Sequence, residues 1–99
     1  MRAILHGDVV ALARVLLCVR REDRAALCDR IFDMAHAADK YRKKSGVYHK
    51  HLGSGHLASA CHSLMQLPEP FLSDKDYADC MRIIFKRVLS GPVIDRVRK

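Results

Sequence analysis

The stretch from Lys40 to His56 reads Lys-Tyr-Arg-Lys-Lys-Ser-Gly-Val-Tyr-His-Lys-His-Leu-Gly-Ser-Gly-His and concentrates the side chains of this sequence best suited to chemistry. Its cations Lys40, Arg42, Lys43, Lys44 and Lys50 raise the local concentration of phosphates, and Tyr41 and Tyr48 offer faces on which bases stack. The Gly53-Ser54-Gly55 turn, with His56 beside it, is placed to aim the free N–H groups of a following helix at an oxyanion. On that helix His56, Ser59, His62, Ser63 and Gln66 form a face of uncharged donors and acceptors of the kind that read base edges. No helix-turn-helix, zinc-finger or RNA-binding signature accompanies the basic footprint. The plainer reading is a solvated helix end, with lysines favourable at its negative pole, followed by a loop.

The same stretch supports two other chemistries less well. His49-x-His51 and His56, with His62 beyond, supply imidazoles for a metal ion. No Asp, Glu or Cys stands near enough in sequence to complete a usual ligand set, so the histidines read better as pH-sensitive loop charge. A further trio on helix two, Asp29, Asp33 and His36, reads as a solvated face. For nucleophilic catalysis Ser54 beside His56 is the one local pair, and Ser54 is explained equally well as the cap of the following helix. A nucleophile elbow, a phosphate-cradling Walker loop and paired carboxylates are all missing. The sequence therefore predicts a non-enzymatic protein with no cofactor and no metal.

Charge isolates the same segment. The 99 residues carry 18 Lys and Arg against 11 Asp and Glu, a net +7. Residues 1–39 and 69–90 are each neutral, whereas residues 40–68 hold five bases and no acid and residues 91–99 hold three bases and Asp95. A chain this short forms one domain, with little room for a second domain or a deep cleft. The expected division is a helical domain over 1–91 and a basic tail over 92–99. Cys18, Cys28, Cys61 and Cys80 contain no Cys-x-x-Cys spacing and read as reduced, buried thiols in a cytoplasmic protein. The apolar run Val9 to Val19 is no signal peptide, because Asp8 precedes it, Arg14 interrupts it and no small-x-small cleavage site follows. It is also too short to span a bilayer, so no membrane is expected.

The elements that must position the basic segment are helical: an all-α, single-domain bundle of about four helices with a basic, Gly/His-rich loop between helices two and three. Asp8 is placed to cap helix one, which covers the apolar run. Helix two, about Glu22 to Lys44, would be roughly 34 Å long. Its core stripe is Leu27, Ile31, Met34, Ala35, Ala38 and Tyr41, widened by Cys28 and Phe32, and Ser45-Gly46 stops it. Helix three, about Gly55 to Leu67, would bury Leu57, Ala60, Cys61, Leu64 and Met65 before Pro68 and Pro70 break the chain. Helix four opens with Ser73 and Asp76 as a capping box, and buries Tyr77, Cys80, Met81, Ile84, Phe85 and Val88. Ile83 falls off that stripe, between Asp79 and Arg87, and suggests cover by another element or by a second copy in a homodimer.

Leu5-His6-Gly7-Asp8-Val9-Val10, Ala37-Ala38-Asp39-Lys40-Tyr41-Arg42, His49, Gly53-Ser54-Gly55 with Leu57, Pro68-Glu69-Pro70-Phe71-Leu72 and Asp76-Tyr77 form a set of segments spread along the chain. Together they resemble a family of short bacterial proteins of about this length with no known activity. The likeness covers most of residues 4–89 and implies a small cytoplasmic helical protein, with no catalytic or binding residue carried over. Where the family has an aromatic two residues after a proline, this chain has Lys50-His51-Leu52, which makes its loop more basic. The expected function is binding of an anionic partner, nucleic acid first or another anionic macromolecule, through Lys40 to His56. The alternative is a protein-interaction or homo-oligomeric adaptor.

Overall fold

A computed structural model describes residues 3–47 and 53–91. Its helices are α1 (His6–Leu16), α2 (Arg24–Ser45), α3 (Leu57–Ala60) and α4 (Lys75–Leu89), with one 3-10 turn, Arg21–Asp23, leading into α2. The described residues form no strand.

Asp8 does not cap α1 from outside, as the apolar run suggested. The helix starts three residues earlier, Leu5 is its N-cap, and Asp8 sits in the first turn with its carboxylate accepting the Leu5 N–H at 2.8 Å. α1 also ends before the run does, because after Leu16 the chain tightens into i→i−3 bonds at Cys18 and Val19. Its residues Val9, Leu12, Ala13, Val15 and Leu16 are buried, so α1 is the central element, packed on α3 and α4.

α2 presents Cys28, Ile31, Phe32, Ala35 and Ala38 to the core, while Asp29, Asp33, His36 and Lys40 face solvent as their spacing predicts. Gly46 ends it with φ of 79°, a left-handed conformation open to glycine at no steric cost. Tyr41 is exposed rather than core. With 22 residues α2 is about 33 Å long, twice the length of the 11-residue α1, and its last turns overhang the core.

α3 departs most from expectation. It is a single turn, and beyond it the chain is captured by the end of α1. Leu67 N–H donates to the Arg14 carbonyl at 3.3 Å, Arg14 Nε donates to the Leu67 carbonyl at 2.6 Å, and Cys18 Sγ donates to the Met65 carbonyl at 3.4 Å. These bonds replace the helical ladder, and Pro68 already disfavours a helical Leu67. Leu57, Ala60 and Cys61 are buried, whereas Leu64 and Met65 are exposed, contrary to the helical pattern.

α4 is capped by Asp74, whose carboxylate accepts the Tyr77 N–H at 2.9 Å, and not by a Ser73 and Asp76 box. Asp76 is engaged elsewhere, by Arg24. Tyr77, Cys80, Met81 and Ile84 are buried, but Phe85 and Val88 are not, because α2 meets the last turns of α4 at Arg87 and leaves Phe85 and Val88 in solvent. Ile83 is half-buried against α2 rather than projecting free.

Arg24 ties the three long helices together. Buried at the start of α2, it donates from Nε at 2.9 Å to the Leu16 carbonyl at the end of α1, which also accepts the Val19 N–H at 3.2 Å. Its two terminal nitrogens meet both Asp76 oxygens at 2.7 and 3.1 Å in the fork geometry that guanidinium and carboxylate share.

Candidate anion-binding surface

The predicted surface begins on the last two turns of α2. Lys40 and Lys44, one turn apart on its solvent face, are exposed and form no ion pair among the described residues. Arg42 and Lys43 point the other way. Asp39, buried on the core side of α2, accepts from Arg42 at 2.9 Å and lies 3.2 Å from Lys43 Nζ. The Arg42 guanidinium foremost, with Lys43 beside it, holds the Asp39 carboxyl well below the usual carboxylate range against the opposing pull of burial. Arg42 Nε is buried and meets no acceptor among the described residues.

The far end of the segment folds back onto this same place. Gly55 has φ of 100°, and a Cβ there would lie 2.9 Å from Asp39 Cβ and 3.0 Å from Asp39 Cα. Only a glycine lets the backbone approach α2 so closely. The turn is fastened from within: the Ser59 hydroxyl donates to the His56 carbonyl at 2.8 Å and accepts from Ser54 N–H and Ser54 Oγ, both at 3.1 Å. Gly53, with φ of 90°, sits against the Ser59 side chain in the same way. Gly55 is thereby set against Asp39, the partner of Arg42 and Lys43, while Lys40 and Lys44 stand on the solvent face of the same turns. Tyr48, His49, Lys50 and His51 lie outside the described residues.

The turn does not present an open helix terminus. α3 has four residues, its N-cap is His56 rather than Ser54, and the N–H of Ala58 is taken by Asp8 Oδ1 at 3.1 Å. Asp8 thus receives Leu5 with one oxygen and Ala58 with the other, and the anion at the start of α3 is the protein's own. The expected recognition face on helix three is not a helix face either. Its helix stops at Ala60, Ser59 turns inward to Ser54, and Gln66 Nε2 donates to the Cys61 carbonyl at 3.3 Å.

Other chemistries find little here. Among the described residues no three His, Cys, Asp or Glu side chains gather as a metal group, His56 included, and His49 and His51 fall outside them. Burial pushes the thiols of Cys28 and Cys80 up to about 11 and that of Cys61 to about 12, so they remain thiols at neutral pH. All four cysteines are free. Among the described residues no helix is long and apolar enough to cross a membrane.

Sequence reasoning passed over Arg24 and Asp39 as structural residues. The signal was present in the helical spacing: Arg24 stands one turn before Cys28 and Asp39 one turn after Ala35, so the buried stripe of α2 extends to both.

A family model described as a domain of unknown function, DUF7742, matches residues 2–88. No curated protein and no solved structure matches the chain.

Proposed function

The chain belongs to the DUF7742 family, and we propose that it acts as a small non-enzymatic helical binding module of the cytoplasm. In this reading it engages an anionic partner, nucleic acid first, through the Lys40 to His56 segment. One observation carries the reading: the two ends of that segment converge on the end of α2, where Gly55 closes over Asp39 and Lys40 and Lys44 stand exposed. Four described bases, Lys40, Arg42, Lys43 and Lys44, stand here against the one buried carboxylate of Asp39, which pairs with Arg42 and Lys43 and leaves this end at net +3. Clustered cations of this kind attract a phosphate backbone without reading its sequence. The free cysteines support a reducing compartment.

Fluorescence anisotropy with labelled DNA and RNA at two salt concentrations tests the reading. The expected result is binding that weakens with salt, with a logarithmic slope of about −2 to −4 for two to four phosphates neutralised on duplex DNA. Joint substitution Lys40→Glu and Lys44→Glu should abolish it. Absence of binding at low salt overturns the proposal.

A second reading, a protein-interaction or homo-oligomeric adaptor, is favoured by large apolar side chains left in solvent: Phe71 is 86% and Leu89 83% exposed, with Leu72 and Phe85 also uncovered. Light scattering at rising concentration checks it. A mass that stays monomeric, or a dimer that Phe85→Glu with Leu89→Glu leaves intact, counts against these side chains as the interface.

A further inference from the structure

An open groove of about 560 Å³ runs between α2 and α4. The two helices run in the same direction, because Arg24 meets Asp76 near their starts and Arg87 reaches Asp29 and the Phe32 ring further along both. The α4 wall extends from Asp79 to Ser90, about 16 Å or three helical turns. Ala25, Cys28 and Ile83 give it an apolar floor, and Arg21, Arg82 and Lys86 stand among its polar lining.

The charges of the lining do not cancel. Four bases line the groove against two acids, and both acids are engaged within the fold. Asp29 accepts from Arg87 Nε at 3.0 Å. Asp79 accepts from Arg82 at 2.9 and 3.1 Å and lies 3.7 Å from Arg24. Lys86 has no ion pair among the described residues, and Arg21 reaches Asp76 only at 3.6 Å from a largely exposed side chain. A groove three helical turns long, with an apolar patch of Ala25, Cys28 and Ile83 beside Lys86 and the loosely held Arg21, is complementary to an apolar side chain flanked by carboxylates. A phosphate backbone would meet the cations but leave Ala25 and Ile83 uncovered.

We infer that the α2–α4 groove docks an acidic amphipathic segment of a partner protein. The partner lays an apolar side chain on Ala25 and Ile83 and sets carboxylates against Lys86 and Arg21. The inference rests on the protein-interaction reading and gives it a place and a partner chemistry. It is separable from the Lys40 to His56 surface, since Asp29 and Lys40 are about 16 Å apart along α2.

Selection of random peptides displayed on phage against the full chain tests this without presupposing a sequence. The expected winners are acidic and carry a large apolar residue. They should bind the wild type and the joint Lys40→Glu, Lys44→Glu variant alike, and lose roughly tenfold or more on Lys86→Glu. Lys86 is exposed, so its variant should melt as the wild type does, and Ile83→Asp serves as the second, more disruptive probe. The inference is overturned by basic or neutral winners, by no enrichment, by full affinity for Lys86→Glu, or by displacement of the peptides by a single-stranded oligonucleotide. Winners lost only on Lys40→Glu with Lys44→Glu would likewise overturn the groove, while assigning the acidic peptide to the other surface. A dimer seen by light scattering and untouched by Lys86→Glu would leave the adaptor reading standing without the groove.

Discussion

At the scale of single residues, Arg24 shows how a charged side chain can be the most structural one in a small helical protein. Its aliphatic stem is buried while its guanidinium satisfies a helix-terminal carbonyl and both oxygens of Asp76. Arg24→Ala removes all three bonds and leaves the Leu16 carbonyl with the Val19 N–H alone, so urea unfolding should show a loss of about 2–3 kcal/mol, within the range for hydrogen bonds to charged groups. Arg24→Lys should recover only part of this, since an ammonium cannot make the fork. The pairing also sets an acid limit. The Arg24 hydrogen bond, helped by the charges of Arg24 and Arg21, lowers the Asp76 carboxyl below its ordinary value. Its contribution is therefore complete above the unfolded value of about 3.9 and lost as pH falls through the lower folded value. Asp76→Asn should destabilise the protein at neutral pH and flatten that part of the acid-unfolding curve. The effect should be modest, because the Asp76 side chain is 46% exposed and water screens the pair.

At the scale of elements, what could be read from the chain depends on where each helix gets its hydrogen bonds. α2 and α4 were legible because their apolar residues recur at helical spacing and their stops, Gly46 and Ser90-Gly91, are local. α3 was not, because its continuation is settled by Arg14 and Cys18, some fifty residues away in sequence, whose bonds to residues 65–67 no local pattern announces. The same distance hid the true capping role of Asp8, half of which is a bond to Ala58. For the candidate surface, charge counting found Lys40 to Lys44, but the closeness of Gly55 to Asp39 is a tertiary contact between elements. That contact yields a prediction. Gly55→Ala puts a Cβ 2.9 Å from Asp39 Cβ on a backbone with φ of 100°, a strain of order 1–3 kcal/mol. It should lower the melting temperature and loosen the turn, raising amide exchange at Ser54, whereas Gly46→Ala, with open space around it, should cost only the left-handed conformation.

At the scale of the whole molecule, the core draws on all four helices at once. Cys28 comes from α2, Cys61 follows α3 and Cys80 comes from α4, yet all three belong to one cluster with Leu12 and Leu16 of α1. No pair of helices holds enough of that cluster to bury it alone, so local opening of one element uncovers the apolar faces of the others and the transition should be all-or-none. The free thiols make this directly measurable. Cys18, half-exposed at the end of α1, should react with iodoacetamide in the native protein, while the other three, buried and with thiols raised to about 11 or 12, should not. As urea increases, intact-mass spectra should pass from the singly modified species to the fully modified one with little of the intermediates between, and the midpoint should follow that of helical circular dichroism. Stepwise gain of one or two labels below that midpoint would mean that α4 or the α3 turn opens separately. The core would then be two weakly joined parts, and the convergence of Lys40 to Lys44 with Gly55 would depend on the less stable of them.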